Sequence, residues 1–257
     1  MKMITDFMWK EIKPLIPTKK SKVGRPPMPS RKVLDGIFYV VKTGVQWKYL
    51  PKEFGPSSTI HGRFREWIKQ GVFKEIMKKS ALLYLEKPNE QKHWYAIDAS
   101  SCKSPFAHKS GRNPTDRGKR GMKKSIIVDF RGAPLSVVVG PANTHDSKYL
   151  KETFEKLVSY DFDGIKILSA DSAYDVKKLK EDCSKSGFLL LAATNVRRNK
   201  NREIYKPACR WIVERTFGWL AWYRGLKTCW TKTTESFQAF LELVSSVHLF
   251  RMKGIFG

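Results

Sequence analysis

Asp98, Asp171 and Glu214 are the acidic residues least suited to their neighbours. Asp98 stands inside the run WYAIDAS (94–100), flanked by Ile97 and Ala99, and Asp171 closes the run IKILSAD (165–171). Glu214 lies in the middle of CRWIVERTFGWLAWYRGL (209–226), where Trp211, Ile212, Val213, Phe217, Trp219, Leu220, Trp222 and Tyr223 leave little circumference for water. A carboxylate in such surroundings is costly unless it is paired, hydrogen-bonded or holding a metal. If the three converge, they form an oxygen-only donor set, which selects Mg²⁺ or Mn²⁺. Two such ions bridged by carboxylates clamp the attacking and leaving oxygens of a phosphodiester displacement. Each residue also has a plainer reading. Asp98 could bond a turn at Ser100 and Ser101, Asp171 could cap a helix beginning near Ala173, and Glu214 could pair with Arg210 or Arg215. Spacing alone leaves both readings open.

The elements that must position these acids follow from periodicity. Segments 94–100, 124–130, 134–140, 165–171 and 188–194 are short β-type runs, and helical stretches at about 146–159 and 175–186 separate the later ones. The turn FRGAP makes the second and third runs an antiparallel hairpin, whereas the fourth and fifth arrive through helices, as parallel strands do. This pattern predicts a mixed α/β sheet flanked by helices, closed by helices at about 207–226 and 234–253. On the closing helix, Gly218 and Ala221 follow Glu214 on one face and would let it approach the sheet.

A small all-α region precedes the sheet, with helices expected over 4–13, 30–44, 57–71 and 72–86. Ser30 is the expected N-cap of the second and Gly44 its stop. The pair 30–44 and 57–71, taken as joined by a short turn, reads equally as a helix-turn-helix or as a plain bundle. The helix 57–71 is expected to expose His61, Arg63, Arg65 and Lys69. KPNEQKH (87–93) reads as a linker, dividing a helical domain over 1–90 from an α/β domain over 91–257.

The chain has 257 residues with 49 Lys+Arg against 24 Asp+Glu, a formal charge of +25 spread over both halves. Such a chain favours a polyanion, nucleic acid first, because neutralising phosphates releases counterions. No apolar run approaches the ~18–20 residues that span a bilayer, and the opening MKMITDFMWKEIK lacks a signal-peptide core, so the expected partner is DNA, not membrane, and the expected place the cytoplasm. Cys102, Cys183, Cys209 and Cys229 form no CxxC pair and are expected to be reduced. Two basic segments flank the acids. Segment 102–124 carries Arg112, Arg117, Lys119, Arg120, Lys123 and Lys124, and segment 195–206 carries Arg197 and Arg198. Phosphate contact is expected of both.

NPTDRGKRGMKKSIIVDFRGAPLSVVVGPANTHDSKYL (113–150) resembles the block after the first aspartate in bacterial insertion-sequence transposases of the DDE type, best the insertion sequence five group. LSADSAYD (168–175) is similar to that family's second-aspartate motif, A-D-K-G-Y-D, and RWIVERTFGWLAWYRGLKT to its R-x-x-x-E block. The N-terminal helices, with GRPP before the second, resemble its small DNA-binding domain. The resemblance implies a ribonuclease H-like fold, with Asp98, Asp171 and Glu214 as ligands of two Mg²⁺ or Mn²⁺ ions and Arg210 as a DNA contact. It also implies cleavage at transposon ends and 3′-OH strand transfer into double-stranded target DNA, by an assembly at least dimeric. Two departures stand out. The motif's tyrosine and lysine positions hold Pro207 and Ala221, and its Lys-Gly pair is Ser172-Ala173; Arg224 or Lys227 could replace the lysine. The alternatives are a ribonuclease H-like nuclease without strand transfer and a non-catalytic DNA-binding descendant.

Overall fold

The computed structural model describes residues 4–17, 26–86, 93–157, 166–194 and 210–256. The first region is all α. Helix α1 (Asp6–Ile12) begins at Thr5, whose hydroxyl accepts from the Met8 amide, and runs into a 3₁₀ turn at Pro14. Helix α2 (Ser30–Thr43) buries Val33, Leu34, Ile37, Phe38, Val40 and Val41 along one face and stops at Gly44, whose φ of 70° a side chain would strain. Ser30 is the first helical residue here, and Pro29 holds the cap position. The connection to α3 (Ser57–Lys69) is longer than the short turn expected: residues 44–56 form two 3₁₀ turns, Trp47–Tyr49 and Lys52–Phe54. Helix α4 (Val72–Leu85) completes the region. The expected boundary at 90/91 lies outside the described residues.

Then the period changes to that of a sheet. Strands β1 (Trp94–Lys103), β2 (Gly111–Arg112), β3 (Arg120–Asp129) and β4 (Pro134–Pro141) come first. Helix α5 (Asp146–Leu157), β5 (Lys166–Ala170), a 3₁₀ turn at Ser172–Tyr174, α6 (Lys177–Ser184) and β6 (Phe188–Ala192) follow. Helices α7 (Arg210–Ala221), α8 (Arg224–Lys227) and α9 (Thr234–Phe256) end the described chain. Strand β3 lies antiparallel to β1 on one side and to β4 and the short β2 on the other, while β5 joins β1 in parallel and β6 joins β5 in parallel. Three antiparallel strands followed by two helix-linked strands parallel to the first make the ribonuclease H-like sheet, with β1 at its centre.

Successive β3 residues point to opposite faces. Ser125 Oγ accepts from Thr153 Oγ1 of α5, and Lys124 Nζ donates to the Leu226 carbonyl of α8. Helices therefore cover both faces, as a sheet with buried central strands requires. The longest helix, α9, packs against α4, β4, α2 and α3, so one continuous core runs from Ile4 to Met252. Among the described residues no helix is long and apolar enough to cross a membrane. Cys102, Cys183 and Cys229 are buried free thiols, and Cys209 lies outside the described residues.

Candidate active site

The β1–β5 pairing runs from Trp94↔Ile167 to Ala96↔Ser169. Two positions beyond the last pair stand Asp98, still within β1, and Asp171, just past the end of β5. Parallel neighbours in register therefore carry the two acids toward the same side of the sheet. Asp171 accepts from the Ala173 amide at 2.8 Å, capping the 3₁₀ turn with Oδ1 and leaving Oδ2 for another partner. The plainer capping reading and the site reading thus use different oxygens. Asp98 accepts from its neighbouring Ala99 amide at 2.8 Å, and its side chain is only 16% exposed. Burial pushes its carboxyl up to about 6, and the negative charge of Asp171 adds to the rise, against the Ala99 hydrogen bond and the Arg210 charge.

Glu214 departs from expectation. Helix α7 is not apolar all round: Trp211 and Trp222 are exposed, and the Glu214 side chain is 59% exposed. The physical reason is an arginine. Arg215 lies 4.8 Å from both the Trp211 and Trp219 rings and donates to the Arg131 carbonyl, so a guanidinium covers the aromatic faces that a core would otherwise cover. Gly218 has open space around it and provides no close approach. That approach occurs at Gly132, whose carbonyl accepts from Thr216 Oγ1 at 2.8 Å.

Arg210 links the acids. One guanidinium nitrogen lies 4.0 Å from Asp98 Oδ2 and 3.7 Å from Glu214 Oε1. The two carboxylates are therefore no farther apart than the sum of those distances, with a cation between them. Among the described residues no three His, Cys, Asp or Glu side chains already surround a single point. The donor chemistry nevertheless suits a hard cation: all three acids offer oxygens, and a positive group already sits between two of them.

Behind the acids, Tyr174 is fully buried, with its hydroxyl toward Ser125; burial and the charges of Asp146, Asp98 and Asp171 push it well above the usual tyrosine range. Asp146, the first residue of α5, is ion-paired with Lys123 Nζ, which also donates to the Thr144 carbonyl. This corrects the expectation for Lys123, a buried lysine that shapes the site instead of facing solvent. Lys124 is buried as well. Arg63 is buried too: its neighbours Ile60, Phe64 and Trp67 turn that face of α3 into the core, and Glu66 pairs with it at 3.5 Å. Arg65 and Lys69 are exposed.

Arg112, Arg117 and Lys119 are exposed on the β2–β3 hairpin, where Arg117 adopts a φ of 50°. Arg120 is exposed, but its guanidinium donates to Ser110 Oγ and the Ala107 carbonyl, both at 2.8 Å. Arg197 and Arg198 lie outside the described residues. Sequence reasoning missed the Lys123–Asp146 pair, because nothing local marks a partner 23 positions away.

Fold and site together define a ribonuclease H-like protein with one acid within its central strand, a second just past the end of the parallel strand beside it and a third on helix α7. Residues 90–249 match the family model described as "Transposase DDE domain", and residues 4–77 match that of the "Putative transposase of IS4/5 family". The chain belongs to the DDE transposase family. It is 28% identical over 141 residues to the "Putative transposase for insertion sequence element IS402" of Burkholderia cepacia, a match covering 52% of this chain and 65% of that protein. It is 35% identical over 121 residues to the "Insertion element IS402 uncharacterized 16.2 kDa protein" of the same organism, covering 44% and 81% respectively. The piggyBac transposase in its synaptic complex with hairpin DNA shares 8% identity at a TM-score of 0.42, over 98% of this chain and 73% of that one, a likeness too loose to define a fold.

Proposed function

We propose that this chain is the transposase of an insertion sequence. It hydrolyses a phosphodiester at each transposon end and joins the freed 3′-OH to double-stranded target DNA. In the first step water attacks phosphorus and the products are a 3′-OH and a 5′-phosphate. In the second the 3′-OH attacks a target phosphodiester and a target 3′-OH leaves. The observation that carries this reading is the placement of Asp98 and Asp171 at matching positions of neighbouring parallel strands, with Arg210 bridging Asp98 to Glu214.

Asp98, Asp171 and Glu214 would hold two divalent ions, Mg²⁺ or Mn²⁺. When bound, these ions supply a clamp for the attacking and leaving oxygens and neutralise developing charge. The chain's own residues do the rest. Asp98 must be ionised to act as a ligand, which its raised pKa makes conditional on pH. Arg210 balances Asp98 and Glu214 before DNA arrives, and its guanidinium is placed to turn toward a phosphate once they have another cation. Buried Tyr174 closes the space behind Asp98 and Asp171 against water. Arg112, Arg117 and Lys119 hold the DNA backbone, with Arg65 and Lys69 contacting it from the helical region, which we take as the DNA-binding domain over 1–90 ahead of a catalytic domain over 91–257. Joining two ends calls for at least a dimer.

The test uses duplexes carrying the inverted repeats that flank the gene, incubated with the purified chain and Mg²⁺ or Mn²⁺. Nicking at the repeat end and joining to a second duplex are expected, and both should vanish in D98N while DNA binding stays. Nicking without joining would reduce the assignment to a nuclease. Absence of both would leave a DNA-binding protein.

A further inference from the structure

Phe106 and Trp230 are 124 positions apart in sequence, yet their rings stand side by side in solvent. They are 56% and 52% exposed, with centroids 6.0 Å apart and planes inclined by 38°. Single exposed aromatics need no explanation. This pair is different because the backbone holds it in place. The Cys229 amide donates to the Lys103 carbonyl at 2.8 Å, the His108 amide to the Lys232 carbonyl at 2.9 Å, and Lys103 bridges to Thr228. Arg120 pins the Ala107 carbonyl, and Ala107 and Cys229 are fully buried beneath the rings. Two segments are thus held together on either side of the rings, at Lys103–Cys229 and at His108–Lys232, and the result is an open apolar face.

The charge around it is one-sided. Neither segment 99–115 nor segment 215–234 contains an acidic residue, while Lys103, Lys109 and Lys232, within three residues of Phe106 or Trp230 in sequence, are exposed. Aromatic faces ringed by cations suit a base stacked on the rings with its phosphates held alongside. Intact duplex hides its base faces, so such a surface meets a base only where the strand is open. Lys103 ends the strand that carries Asp98, and Phe106 follows three residues later, so the platform lies at most about 29 Å of extended chain from Asp98. An unpaired base a few nucleotides from the scissile phosphate falls within that reach.

Building on the transposase reading, we infer that Phe106 and Trp230 form a stacking platform for an unpaired DNA base beside the cut. Occupancy favours DNA whose ends are frayed or already nicked, so the platform selects the opened intermediate over intact duplex.

The test is a binding measurement without divalent metal, so it does not depend on cleavage. The probes are a short blunt duplex and the same duplex bearing one unpaired 2-aminopurine nucleotide at its 3′ end. The wild-type chain is expected to bind the overhang more tightly and to quench its fluorescence by stacking. The double variant F106A/W230A should lose about tenfold in affinity for the overhang, with little change for the blunt duplex, and should no longer quench. F106Y/W230F, which keeps both ring faces, should restore quenching and so separates stacking from misfolding. Equal loss on both probes, or unchanged quenching in the alanine variant, overturns the platform. A chain that quenches yet neither nicks nor joins DNA would sink the transposase reading and leave the platform standing.

Discussion

Two aspartates on neighbouring strands, Asp129 buried and Asp98 largely so, differ in how fully their oxygens are supplied with donors. Asp129 ends β3, opposite Tyr95 at the start of β1, and Asp98 lies three positions along β1. Burial raises the pKa of both. Asp129 is surrounded by donors: Tyr84 Oη at 2.6 Å and the Arg131 and Ala133 amides at 2.9 and 2.8 Å. It staples α4 to the β3–β4 turn. Among the described residues Asp98 accepts only from the adjacent Ala99 amide, with Arg210 more distant and two further carboxylates contributing to its field. A buried acid with saturated oxygens holds a fold together. One left under-supplied beside other acids has oxygens to spare, which is what the proposed cation site asks of Asp98.

The sharpest break between the two is by substitution. D98N should abolish end cleavage, a loss of about 10³-fold or more, while D129A should leave the chemistry in place in the folded fraction. D129A should instead cost about 2–4 kcal/mol, because Tyr84 and two amides lose their acceptor. Product gels and chemical denaturation on both variants decide it, and a swapped pattern would reverse the assignment.

Next in size is pH. Only ionised Asp98 can bind a cation, so the cleavage rate should fall as pH drops through about 6. Stability of the metal-free protein runs the other way. The folded-state pKa lies above the usual 3.8, so the native state binds a proton more tightly, and stability decreases as pH rises from about 4 to about 6. D98N removes that loss and should raise Tm by a few degrees at neutral pH in chelator, an effect on the order of 2 kcal/mol. Differential scanning calorimetry with and without divalent ion measures it.

R210A is smaller again. Removing the guanidinium between Asp98 and Glu214 should let Mn²⁺ bind the DNA-free protein several-fold more tightly, read by electron paramagnetic resonance, while binding to end DNA weakens. A fall in Mn²⁺ affinity would mean that Arg210 organises the acids instead of substituting for a cation. The least effect is expected at the hairpin. K119A should weaken DNA binding two- to threefold and lower the salt slope by about one, whereas K123A, which breaks a buried ion pair, should lower Tm and leave the slope alone.

Much of this was readable in the sequence, for reasons that differ by element. Helix α2 was plain because Val33, Leu34, Ile37, Val40 and Val41 share one face and Gly44 ends it. The β1 and β5 runs were plain because apolar residues bracket a misplaced acid in the first and lead up to one in the second. The ends of β1 and β3 were not: Ser100–Lys103 and Arg120–Lys123 are polar and basic, and they pair as strand only because each has the other to bond. The burial of Arg63, Lys123 and Lys124 was equally hidden. A charged side chain's address is set by its acceptors, and for Lys124 that acceptor is the Leu226 carbonyl, 102 positions on. Helix α7 was read as buried since eight apolar residues look like a core helix, and no periodicity reveals that Arg215 will lie between two tryptophans.

Helix α9 lies against α2, α3 and α4 as well as β4. The helices α2, α3 and α4 therefore wait until the whole sheet and then α9 are translated before their apolar faces are covered. Until then Phe64 has no Phe240 to stack on, and a synthesis arrested before residue 234 would release a sticky, protease-sensitive fragment in place of a working half-protein.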